Sequence, residues 1–132
     1  MVRTELREHI FKMVFQLEFR TPEEIMEHMK LYFDELESAS DRDKEYIQTK
    51  YKAVEEHVEE IDALIDSKSE EWKTKRMSKV DLAILRLAVY EMKWDEDVPT
   101  GVAINEAVEL AKKFSGEGAP TFVNGVLARL AE

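Results

Sequence analysis

The chain has 132 residues, 44% of them hydrophobic and 36% charged, which predicts one soluble globular domain spanning 1–132. It contains no cysteine, which removes disulfides, thiol nucleophiles and thiolate metal sites. Its formal net charge of −10 argues against non-specific coating of nucleic acid, because such binding rests on neutralising phosphates.

All four glycines lie at or after Gly101, so the first hundred residues hold no glycine-rich phosphate loop and no glycine-built hairpin turn. An all-helical chain is expected. The first helix is predicted from Thr4 to Phe19, with Leu6, Ile10, Met13, Val14 and Leu17 on the 3.6 period. Phe11, Phe15 and Phe19 make a second apolar row, giving an arc wide enough for two neighbours. Thr21-Pro22-Glu23-Glu24 has the pattern of a capping box with proline at the first helical position. The helix it opens buries Ile25, Met29, Tyr32 and Leu36 and stops near Ser38–Ser40.

A third helix opens at Ser40 or Asp41. Its seam of Ile47, Tyr51, Val54, Val58, Ile61 and Ile65 alternates by four and three, as in a bundle helix. A short helix or turn is expected around Trp72, and Ser78–Asp81 is a further cap. The run Leu82–Tyr90 is apolar nearly all round and predicts a central, buried helix broken by Asp95–Pro99. The next helix starts between Thr100 and Asn105 and ends near Phe114. Ser115–Ala119 is a loop, and Pro120 opens the last helix. Gly125 inside that helix points to a close helix crossing or a partner surface.

Charge is uneven along the chain. Residues 1–20 sum to +1, 21–71 to −11, 72–93 to +4 and 94–132 to −4. The two less acidic stretches are either ordinary solvated faces or a small site for a short single strand. His9, His28 and His57 fall on separate segments without metal-ligand spacing, and Glu24 and His28 fit a surface i,i+4 pair better than a metal site. No nucleophile motif is present, so no enzyme activity, metal or cofactor is expected. Arg86 stands alone as a cation in the apolar helix and requires a partner, for which Glu106 is the candidate.

The second half carries a specific series: Trp72, Arg76, Asp81–Glu91, Val98-Pro99, Val102–Lys112, Phe114 and Phe122–Leu127. In order, spacing and identity it resembles the NusB family of bacterial transcription antitermination factors, and the helix pattern of 1–66 is compatible. The resemblance implies an all-α fold of about seven helices in two packed helical subbundles. It implies binding of boxA RNA from ribosomal RNA operons together with NusE, the small-subunit ribosomal protein S ten, within the RNA polymerase antitermination complex. A homologous domain fronts a ribosomal RNA cytosine methyltransferase, but ending at Glu132 leaves no room for a catalytic domain here.

The family's arginine-rich N-terminal segment reads Arg3-Thr4-Glu5-Leu6-Arg7 in this chain, so the resemblance assigns RNA contact to Arg3, Arg7, Lys12 and Phe15. Thr4 and Glu5 stand where richer members carry further arginines. An aromatic at Phe15 suits stacking of an unpaired base. Contact with NusE is carried over onto Asp81, Gly118 and Phe122, while Ala128 replaces an acid common in the family. The resemblance implies a cytoplasmic protein without membrane contact, acting as monomer or homodimer. A helical protein–protein module without an RNA role is the alternative, and boxA binding with and without NusE separates the two.

Overall fold

Seven α-helices and two short 3-10 turns make up the computed structural model, which describes residues 1–68 and 73–132; no strand occurs among the described residues. The fold is all-α, as the glycine-poor, helix-periodic sequence predicts. The expectation placed around Trp72 falls partly outside the described residues. The chain divides into two compact units, Met1–Glu56 and His57–Glu132.

The first unit holds α1 (Arg3–Phe15), α2 (Pro22–Glu35) and α3 (Asp41–Glu56). Helix α1 buries Ile10, Phe11, Met13 and Val14 and packs chiefly on α3, which buries Ile47, Tyr51 and Val54. Helix α1 is shorter than its periodicity predicts: Gln16–Glu18 tighten into a 3-10 turn, and Phe19 lies outside the helix. Pro22 explains the stop, because the residue before a proline is pushed out of the α region, and Thr21 is extended at φ −73° and ψ 157°. Thr21 and Glu24 form the expected capping box: Glu24 N donates to Thr21 Oγ1 at 3.2 Å and Thr21 N to Glu24 Oε1 at 3.0 Å. Ser40 and Asp43 repeat that reciprocity at the start of α3, at 3.1 Å in each direction.

The predicted third helix is two helices. It breaks at His57, between α3 and α4 (Val58–Lys68). The apolar seam alone predicts continuity, but Glu55 and Glu59, like Glu56 and Glu60, put like charges one turn apart and weaken the helix there. The seam is thereby shared between two cores, with Ile61 and Ile65 fully buried in the second unit.

The second unit continues with α5 (Lys79–Trp94), α6 (Thr100–Phe114) and α7 (Ala119–Leu130). Ser78 caps α5 by accepting from Asp81 N at 3.1 Å. Every residue from Leu82 to Val89 is buried, because α4, α6 and α7 all pack on α5. Gly125 does not mark a close helix crossing: it is exposed, and a Cβ there would meet nothing within 4 Å.

Candidate nucleic-acid and partner interface

Helix α1 carries the expected RNA-facing residues, but it does not gather them on one side. At about 100° per residue, Arg3 and Arg7 lie within about 40° of each other, whereas Lys12 is about 180° from Arg3. Phe15 is about 60° from Lys12, so the cation and the aromatic share a face. Arg3 and Lys12 are exposed and Phe15 is half-buried. Arg7 is only 5% exposed and is engaged within the fold. The sequence places Arg7 among phosphate-facing cations; its burial instead makes it part of the support beneath α1.

The aromatic row is graded. Phe11 is buried, its ring 6.4 Å from that of Phe15, and Phe15 lies 5.1 Å from Phe19, which is 61% exposed. Behind Lys12, the His9 ring pairs through Nδ1 with the Tyr32 hydroxyl and meets the Tyr32 ring edge-on. Burial, and then the Lys12 charge, hold the His9 pKa below its ordinary value, so the imidazole stays neutral beside Lys12. Burial raises the Tyr32 pKa.

The residues expected to face a protein partner meet at one end of the second unit. The Ser115 hydroxyl, at the C-terminal cap of α6, donates to Asp81 Oδ1 at 2.6 Å and ties the first turn of α5 to the α6–α7 connection. Gly118 precedes α7 with φ +85°, a left-handed conformation that favours glycine. Its carbonyl accepts from Phe122 N at 3.0 Å, which places Phe122 one turn into α7, half-buried. Asp81 and Gly118 thus flank Ser115, a residue the sequence reading left in a plain loop.

Arg86 has a partner the spacing rule missed. Its Nε donates to Asp62 Oδ1 at 2.9 Å and its Nη2 to Asp62 Oδ2 at 2.7 Å. Glu106 was the expected partner, but α4 also packs on α5, and Asp62 sits beside the buried Ile61 on the face turned to Arg86. The same helix fixes the basic turn that follows: Asp66 accepts from Thr74 N at 2.8 Å and from Thr74 Oγ1 at 3.1 Å. Glu91 and Lys50 are further buried charges that the sequence did not single out. Lys50 Nζ lies 5.3 Å above the Tyr46 ring. Glu24 is committed to its cap rather than to His28. Among the described residues no three His, Asp or Glu side chains gather to hold a metal, and no helix is long and apolar enough to cross a membrane.

Comparison with known proteins covers the whole of this arrangement. The chain is 55% identical over 131 residues to the transcription antitermination protein NusB of Agathobacter rectalis, covering 99% of this chain and 100% of the relative. It is 44% identical to the protein of that name from Acetivibrio thermocellus, covering 100% and 90%. Among solved structures, T. maritima NusB superposes with a TM-score of 0.86 at 36% identity, covering 99% of this chain and 91% of that one. The antitermination factors NusB and NusE in complex with dsRNA provide a chain that superposes with a TM-score of 0.82 at 27% identity, covering 99% and 98%. The NusB family model matches residues 4–132, so both helical units and both candidate surfaces fall within it, and the chain belongs to the NusB family.

Proposed function

We propose that the chain is a transcription antitermination factor that binds boxA RNA of ribosomal RNA operons together with NusE. One observation carries this reading: 55% identity, end to end, with a protein named for that activity. The solved complex of a 27% identical NusB chain with NusE and dsRNA supports the choice of both ligands. The protein acts by binding, as an adaptor in the RNA polymerase antitermination complex in the bacterial cytoplasm, and the whole chain, 1–132, serves as the functional unit.

In this reading α1 meets RNA. Arg3 and Lys12 offer charge to phosphates, Phe15 offers a ring to an unpaired base, and Arg7 holds the helix that carries them. Asp81, Gly118 and Phe122 form the surface for NusE. The second surface is required by charge: a chain at −10 with two exposed cations on α1 gains little affinity from phosphates alone. Titration of boxA RNA into the protein with and without NusE is the test. Tighter RNA binding with NusE is expected, and a protein that binds neither RNA nor the binary complex removes the reading.

A further inference from the structure

The reading above uses Phe15 as the aromatic contact, yet Phe15 is the half-buried middle of a row whose outer member is Phe19. A lone exposed apolar side chain is ordinary on a protein surface. Phe19 differs because three features meet at it. Its ring is continuous with that of Phe15, at 5.1 Å and 58°, which leaves much of it open to solvent. Its backbone is fixed: Phe19 N and Arg20 N both donate to the Gln16 carbonyl at 2.9 Å, at the end of the 3-10 turn. Exposed cations stand on either side, Lys12 on the preceding helical face and Arg20 next in sequence.

A held, open aromatic ring between two cations fits a nucleotide, with the ring against the base and the cations toward its phosphates. An apolar partner would use the ring but leave the flanking charges unmatched. Acids nearby do not cancel them entirely: Glu24 is occupied by its cap, and Glu18 is half-buried. The sequence hides this feature, since the four-residue spacing of Phe11, Phe15 and Phe19 predicts a continuous buried row. Only the early end of α1 turns Phe19 outward.

We propose that Phe19 is a base-stacking platform, with Lys12 and Arg20 holding the adjoining phosphates, so that the single strand passes from Phe15 on to Phe19. The proposal rests on the RNA-binding reading. Its test uses the full chain and boxA RNA carrying 2-aminopurine at one position at a time, titrated with and without NusE. With the unsubstituted protein, fluorescence should be quenched at one nucleotide in particular. Phe19→Ala should lower RNA affinity by about five- to a hundredfold, the range for loss of a stacked aromatic, and abolish that quench. Phe19→Trp should keep both, and unchanged melting should show that the exposed site is not needed for folding. If Phe19→Ala binds as tightly as the parent with the quench intact, or alters only self-association, the platform is refuted while the RNA reading stands. If the parent itself binds no RNA, both fall.

Discussion

Arg86 and Asp62 form a two-bonded ion pair, Nε to Oδ1 at 2.9 Å and Nη2 to Oδ2 at 2.7 Å, between the central helix α5 and α4. The arginine side chain is 8% exposed and the aspartate 25%. Removing one partner leaves the other charge without its main counter-ion in a place water reaches poorly. Arg86→Met and Asp62→Ala should each destabilise the fold by up to ~3–5 kcal/mol, the aspartate at the lower end because it is partly solvated. Urea denaturation of both single variants and the double variant checks this, with the double variant less destabilised than the sum. Unchanged stability with lost partner binding would instead make Arg86 a functional residue.

The RNA-binding surface predicts a shallow salt dependence. With Arg7 buried, Arg3 and Lys12 remain as exposed cations on α1, with Arg20 just beyond it. Two or three phosphate contacts on a single strand give a log–log slope of about −1.5 to −2. A slope near −6 would place binding on another basic surface, and the turn around Lys73, Lys75 and Arg76 is the strongest alternative. Affinities measured across salt concentrations decide between them.

The architecture was legible where a local rule is strong, and less so where a distant contact decides. Thr21-Pro22-Glu23-Glu24 and Ser78–Asp81 announced their caps because capping is set by neighbours in sequence. The apolar run Leu82–Val89 announced a central helix. The break at His57 did not show, because apolar periodicity runs through it and only the paired glutamates argue against continuity. Asp62 as the partner of Arg86 could not be read from spacing, since it depends on which helix packs on α5. At the candidate site, the resemblance supplied residue identities. It could not show that Arg7 is buried or that Phe19 is exposed, because both depend on where α1 ends and what covers it.

Acid should weaken the helix starts in a defined direction. Backbone hydrogen bonding by Thr21 holds the Glu24 carboxyl below its ordinary value of 4.5, and Ser40 does the same for Asp43, ordinarily 3.8. A depressed carboxyl contributes stability that is complete above the unfolded value and is lost as pH falls through the folded one. His9, held below its ordinary 6.5 chiefly by burial, acts in the same sense: its contribution is present above that value and fades as pH falls through the lower folded one. Stability curves against pH for Glu24→Gln and His9→Gln should flatten in the acidic and the near-neutral window respectively. An unchanged curve for either would remove its assigned cause.

Two glycines should respond in opposite ways. Gly118 sits at φ +85°, so Gly118→Ala should cost about 1 kcal/mol in backbone strain. Gly125 is helical and open, so Gly125→Ala should stabilise the protein by about 0.5–1 kcal/mol. Thermal melts of the two variants test this. A Gly125→Ala variant that is more stable yet binds NusE less tightly would show that glycine is kept there to let a partner approach.

The coupling between RNA and NusE is the prediction closest to function. A chain at −10 repels RNA at long range, but screening confines that repulsion to roughly 8–10 Å at moderate salt, within which Arg3 and Lys12 still act. Few phosphate contacts leave little affinity, so a second protein must add contacts or order the strand. Such coupling is typically ~1–3 kcal/mol and is reciprocal, so RNA must tighten NusE binding by the same factor that NusE tightens RNA. A closed cycle of protein with RNA, protein with NusE, and the ternary complex measures both arms. Asp81→Ala should weaken the NusE arm while leaving the binary RNA affinity unchanged, since Asp81 lies on the second unit beside Ser115 and not on α1. Equal RNA affinity with and without NusE would mean two unrelated binding surfaces and no adaptor, because an adaptor's two ligands must each feel the other through the protein that joins them.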